Sequence, residues 1–347
     1  MENKKYYFID LLRITAALAV IVLHVSANLS VLKQVGSSQW WLGNILNASS
    51  RWCVPVFVMI SGYLLLNPGK EQSVGPFLKR RLIRVGIPLL TWSAIYFVWD
   101  EYANGAHLTI KEILKRILSG KPYAHLYFLF VIAGLYLITP ILRKFLQSAS
   151  KMDVSYLIFI SFGVSIAVIA LNNFIPSIST SFNAFTMFLL YTCYYVLGYY
   201  IKTYISKKYS FKAYLTIFFL SLSITIVGSY FSAVYEFNNY FFSYLSPLVI
   251  LMSISLFMIF IGLENYLVKH PNLSKVTNII ADSTFGIYLV HLIVKGILEK
   301  GFLGITISVT TVNAFIGLPL TILMVFLISL ITTYVIKKIP LIKHIMG

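Results

Sequence analysis

Hydrophobic positions in this chain fall into long runs separated by short polar connections, at about 8–32, 42–66, 82–103, 124–143, 153–172, 183–201, 211–233, 243–262, 277–297 and 309–336. Each run can cross a hydrocarbon core as a helix, so the pattern predicts an all-α polytopic membrane protein of about ten transmembrane helices. The last run exceeds what a bilayer needs and is expected to tilt, or to extend into the cytoplasm towards Pro340. The connection at 104–123 stands apart. Its Ile110, Ile113, Leu114 and Ile117 form an apolar stripe, with Lys111, Lys115 and Arg116 turned away from it. Such a stripe predicts an amphipathic helix, which either lies in the outer interface or rims a substrate site.

The first run, Tyr7 to Ser30, carries ionisable residues where they are costly. Asp10, Arg13 and His24 all lie within it, and an intramembrane ionisable residue is by default a functional hypothesis. Arg13 and His24 are 11 residues apart. At about 100° per residue they share one helix face, with roughly 16 Å of rise between them. Asp10 lies three residues before Arg13, within reach of the same stripe.

Composition sharpens the class. Of 347 residues, 59% are hydrophobic and 11% charged, against roughly 25% charged in a soluble domain. The formal charge of +17 does not indicate nucleic acid, because the basic residues sit at the ends of apolar runs and form no long stripe. Topology and anionic lipid or ligand account for them. With the N-terminus inside, nineteen Lys and Arg fall on the cytoplasmic side: Lys4, Lys5, Lys70, Lys79, Arg80, Arg81, Arg84, Arg143, Lys144, Lys151, Lys202, Lys207, Lys208, Lys212, Lys269, Lys275, Lys337, Lys338 and Lys343. Only eight fall outside: Lys33, Arg51, Lys111, Lys115, Arg116, Lys121, Lys295 and Lys300. Both termini are therefore expected in the cytoplasm, and the first run is expected to be a retained span rather than a signal peptide. Cys53 and Cys193 lie inside apolar runs and read as buried thiols.

Depth and topology bring three histidines towards the outer side: His24, His125 at the start of the fourth run and His291 near the end of the ninth. His24 is the candidate general base, since a neutral imidazole takes a proton from an attacking hydroxyl near neutral pH. A structural hydrogen bond or a transport relay are its other readings. His125 and His291 are candidates for substrate contact or for helix packing, whereas His107, His270 and His344 read as surface residues. At the inner end of the third run, KRRLIRVGIP at 79–88 crowds Arg80, Arg81 and Arg84 together. Guanidinium groups suit bidentate phosphate contacts, so a phosphorylated cytoplasmic ligand is one reading and the inside-positive bias the other; Pro88 could open the helix beside Arg84. Ser61 and Gly62 permit close approach of another helix or a ligand. The polar stretch 172–183 and the aromatic stretch 230–244 read as sugar contacts or as an interfacial belt. No metal site, glycine-rich phosphate cradle or nucleophile elbow is predicted.

These separated signatures resemble the integral-membrane acyltransferase 3 family. They are DLLR at 10–13 followed by His24, FVMISGYLL at 57–65, RRLIRVGIPLL at 80–90, HLYFLFVIAGLYLITP at 125–140 and FGIYLVH ending at His291. The resemblance implies a membrane O-acyltransferase of the bacterial cytoplasmic membrane. It moves an acyl group, usually acetyl, from cytoplasmic acetyl-CoA or another short-chain acyl-CoA to a hydroxyl of a cell-envelope glycan or lipid-linked sugar. It further implies that Arg13 and His24 form the functional pair of the first helix and that Arg81 and Arg84, with Arg80 beside them, handle the donor; Asp10, three residues before Arg13, is placed to hold its guanidinium. Short stand-alone members act with exopolysaccharide or lipid-linked antigen, so the exopolysaccharide synthesis machinery is an expected partner, and an acceptor-handling module is expected to be absent or encoded separately. A polysaccharide or small-molecule transporter is the rival reading, and a non-catalytic organising subunit the third. No residue identifies the oxyanion donor that acyl transfer requires.

Overall fold

A computed structural model describes residues 6–347 apart from 68–72, 176, 178–179, 206–209, 237–238, 303, 305 and 310–312, and apart from the side chains of 271–276. Lys4, Lys5, Lys70, Lys207, Lys208 and the side chain of Lys275, all used above for orientation, lie outside the described residues. No strand occurs among the described residues. The helices in chain order are α1 (Tyr7–Leu32), α2 (Ser38–Ser50), α3 (Cys53–Leu65), α4 (Val74–Asn104), α5 (Ile110–Leu118), α6 (Tyr127–Ser148) and α7 (Lys151–Phe174). They continue with α8 (Thr192–Tyr204), α9 (Phe211–Val234), α10 (Pro247–Gly262), α11 (Glu264–Val268), α12 (Pro271–Lys300) and α13 (Ala314–Lys338). Among the described residues nine helical segments are long and apolar enough to cross a membrane. The remaining predicted run, 183–201, is a 3-10 turn at Met187–Tyr191 that leads into α8. The fold is thus the all-α multi-pass one that the apolar runs predict.

Two elements depart from their predicted form. The run at 42–66 is not one helix but α2 and α3, interrupted at Arg51 and Trp52. Pro55 has no N–H to offer the Arg51 carbonyl, and its ring crowds that carbonyl. The Arg51 amide turns back to the Ala48 carbonyl at 3.3 Å, which tightens the end of α2. Helix α4 starts at Val74, ahead of the predicted edge, so the basic segment is itself helical. It continues through Pro88, which limits the expected opening to the one carbonyl, that of Arg84, which the proline cannot serve.

Within 104–123, α5 begins at a capping box in which Thr109 and Glu112 serve each other's backbone amides. Hydrogen bonds from the Thr109 amide and hydroxyl hold the Glu112 carboxyl below its usual range. A carboxylate stabilised in this way supports the helix above that lowered range and loses its hold as pH falls through it. Amide exchange at 110–113 should therefore quicken in acid and stay unchanged from neutral to mildly alkaline pH.

The fold divides into two compact units. The first, Met1–Phe57 with Lys208–Ile336, is organised around α1, which packs on α2, α10 and α12. Phe8, Leu12, Ala16, Val20 and Leu23 of α1 are buried. Glu264 of α11 accepts the Phe8 amide at 2.8 Å and so places a carboxylate at the positive end of α1. Asn44 of α2 donates to the Ile226 carbonyl of α9 at 3.1 Å and accepts from Ser229 at 2.7 Å. In the second unit, Val58–Lys207 with Lys337–Gly347, α4 packs on α6 and α7 packs on α8. Trp92 ties α4 to the C-terminal turn through the Ile345 carbonyl at 2.9 Å.

Candidate active site

Helix α1 is unbroken, so its 3.6-residue period keeps Arg13 and His24 three turns apart. Arg13 pairs loosely with Asp10, at 4.0 Å, near the N-terminal end. His24 lies towards the other end, where a helix from a distant part of the chain meets it. The His24 and His291 rings, one on α1 and one on α12, have centroids 5.2 Å apart. His24 is partly accessible, and His291 is 1% exposed. The Nδ1 of His291 is 2.6 Å from the Tyr288 carbonyl. A carbonyl only accepts, so Nδ1 carries the proton and, in the neutral ring, Nε2 is the basic nitrogen.

Beyond the histidines the same two helices carry a further polar cluster, whose Lys295 topology alone would place near the outer edge of its span. On α12, His291, Lys295 and Glu299 recur every four residues and share one face. Lys295 Nζ lies 3.2 Å from Glu299 Oε2, and Asn28 of α1 donates to Glu299 Oε1 at 3.1 Å. Asn28 itself is one turn beyond His24. Lys295 acts electrostatically on both imidazoles. Arg51, carried at the break between α2 and α3, also acts on His24. Its guanidinium is engaged elsewhere, with Nε donating to Asn47 at 2.7 Å and the group lying 4.5 Å from the Phe242 ring centroid.

The second unit holds the arginines. Phe77, Arg80, Arg81 and Arg84 of α4 line a recess of about 210 Å³. That is smaller than the roughly 300–1,000 Å³ of a complete small-molecule site, so it fits a charged portion of a ligand rather than the whole. Arg143, 8% exposed, was expected only as a cytoplasmic charge. Its guanidinium lies 4.5 Å from the centroid of the Phe77 ring, and its Nε donates to the Leu65 carbonyl at the end of α3 at 2.8 Å. Arg81 lies near the same ring at 6.0 Å and near Tyr136 at 5.8 Å. Two guanidinium groups flank the Phe77 ring, those of Arg81 and Arg143, and with Arg80 and Arg84 on the recess wall they suit an anionic, phosphate-bearing group.

His125 belongs to this second unit and is buried among aromatic rings. It meets Tyr96 edge-on at 4.9 Å, and Tyr96 stacks on Tyr123 at 4.2 Å. Burial pushes the Tyr123 phenol above its usual range, and the nearby Asp100 carboxylate adds to the shift, so that phenol stays a donor at neutral pH. Of the histidines expected at the surface, His107 is exposed beside Glu101 at 3.3 Å, and His270 rests against Tyr266. The structure thus joins His24 to His291 in one unit and gathers Arg80, Arg81 and Arg84 in the other. Arg13 and Asp10 remain at the far end of α1.

A family model described as an acyltransferase domain matches residues 6–336 of the chain. No curated protein and no solved structure gives a match.

Proposed function

The chain belongs to the acyltransferase 3 family, a family of membrane acyltransferases whose membership implies an acyl-CoA-type donor, and from that premise we propose that it moves an acyl group, acetyl in the first instance, to a hydroxyl of a cell-envelope glycan or lipid-linked sugar. The observation that carries the chemistry is the imidazole pair His24 and His291 on the facing sides of α1 and α12. His24 is the general base: it takes the acceptor proton as the oxygen attacks the thioester carbonyl. His291 packs against it, its Nδ1 committed to the Tyr288 carbonyl, and orients the pair for the acceptor. Arg80, Arg81 and Arg84 hold the donor phosphates through charge-assisted hydrogen bonds. Arg13, paired with Asp10, keeps a cation at the N-terminal end of α1. The bacterial cytoplasmic membrane is the compartment this chemistry requires, since acyl-CoA is cytoplasmic and the acceptor belongs to the envelope; the exopolysaccharide synthesis machinery supplies that acceptor.

Purified protein in proteoliposomes, given acetyl-CoA and a panel of envelope glycans, should release free CoA and form an acylated glycan only when an acceptor is present. Glycan movement across the bilayer without acyl-CoA binding or consumption would replace this reading by the transporter one. Arg81→Ala with Arg84→Ala is expected to raise the KM for acyl-CoA by about 10- to 100-fold, since each lost charged hydrogen bond costs roughly 1.5–3 kcal/mol before exposure to solvent discounts it. Equal donor affinity in the double variant and the wild type would remove the arginines from that role.

A further inference from the structure

Acyl transfer by a single histidine leaves the charge on the thioester oxygen without a partner, and the unit that holds His24 contains a cation largely withdrawn from water on α12, the helix that packs on α1. We propose that Lys295, held by Glu299 and Asn28, stabilises the oxyanion of the tetrahedral intermediate. The inference rests on the acyl-transfer reading above and deepens it.

The geometry is specific to this residue. Lys295 is one turn beyond His291 on the same face of α12, and Glu299 is one turn further, at 3.2 Å from the Lys295 ammonium. Asn28 pins the other Glu299 oxygen from α1 at 3.1 Å, so both helices fix the carboxylate that fixes the cation. The side chains of Lys295 and Glu299 are only 12% and 22% exposed. An ion pair withdrawn from water costs desolvation that its own attraction often fails to offset, so its presence beside two imidazoles calls for a use. An ammonium has three donor hydrogens and can serve Glu299 and an oxyanion together. Arg51, the other cation acting on His24, is committed to Asn47 and to the Phe242 ring.

In the step itself His24 accepts the acceptor hydroxyl proton, the oxygen lone pair forms the C–O bond, and the carbonyl π pair moves onto oxygen beside the Lys295 ammonium. The oxyanion then re-forms the carbonyl, the C–S bond breaks with its electrons on sulfur, and the proton on His24 passes to the CoA thiolate. Ester and free CoA result, with no net change of charge on the enzyme. A fixed cation stabilises charge that appears only in the intermediate, so it raises kcat rather than tightening substrate binding.

The test compares the full chain with Lys295→Met, Lys295→Arg and the double variant Lys295→Met with Glu299→Gln in proteoliposomes, using acetyl-CoA and whichever envelope glycan supports wild-type turnover. Lys295→Met is expected to lose about 10²–10³-fold in kcat with an unchanged KM for acetyl-CoA, and Lys295→Arg to recover most of it. The double variant removes the orphaned carboxylate and so preserves folding; it should show the same kcat loss. Activity restored in the double variant would make the ion pair structural and overturn the inference, as would a folded Lys295→Met with wild-type kcat. In both of those cases wild-type turnover and its dependence on His24 still stand. Absence of acyl transfer by the wild type would overturn the functional reading and this inference with it.

Discussion

Replacing His24 by alanine is expected to lower kcat for acyl transfer by about 10²–10⁴-fold, the equivalent of roughly 3–5 kcal/mol of barrier. The loss should fall on chemistry alone. Helix α1 is held by Leu12, Ala16, Val20 and Leu23, all buried, and the substitution touches none of them. The arginines that bind the donor lie on α4 in the other unit, so acyl-CoA affinity should match that of the wild type. His24→Gln separates a proton carrier from a structural hydrogen-bonding group. Glutamine keeps much of the volume and can donate and accept, but it has no basic nitrogen near neutral pH, so it should be as inactive as alanine. Wild-type turnover in either variant, measured as acceptor-dependent CoA release, would remove His24 as the base.

Legibility followed the reach of each signal. The 26 residues of α1 and the shared face of Arg13 and His24 needed only hydropathy and the helical period, both local properties. The break between α2 and α3 carried a local signal in Pro55, but apolar residues on both sides hid it from a reading based on run length. The arginine cluster was visible because its members are sequence neighbours on a single helix. Lys295 and Glu299 carry a weaker signal, because a lysine near a span edge is explained by topology alone and the link from Glu299 to Asn28 depends on the packing of α12 against α1. Arg143 escaped for a deeper reason. Its partners, Leu65 and Phe77, lie 78 and 66 positions away in sequence, and no periodicity within α6 announces them. The pairing of His24 with His291 had the same obstacle: depth placed both rings at one level, but only packing of α1 on α12 brings them into contact.

The second large effect is expected where α3 and α8 meet within the second unit. A Cβ on Gly62 would run into the Tyr195 carbonyl, and one on Gly198 into the Met59 carbonyl. Both obstacles are backbone, so no rotamer change relieves them and the two helices must part. Parting endangers the polar contacts on either side of the crossing: Lys202 to the Tyr63 carbonyl at 2.9 Å, Thr139 with the Tyr195 hydroxyl at 2.8 Å, and Arg143 to Leu65. Water does not replace the buried Thr139–Tyr195 bond within the span. Gly62→Val and Gly198→Val should each cost at least the roughly 1–3 kcal/mol of an overpacked core, lowering the melting midpoint by at least about 1–4 °C. Gly163→Ala, whose Cβ would meet nothing within 4 Å, should leave the midpoint unchanged or raise it. Because Arg143 binds the end of α3 and also stacks on Phe77 in the arginine recess, the two valine variants should also raise the KM for acyl-CoA. A Gly62→Val protein with wild-type melting and donor affinity would mean that α3 and α8 do not pack backbone to backbone, and that Arg143 does not transmit their separation to the recess.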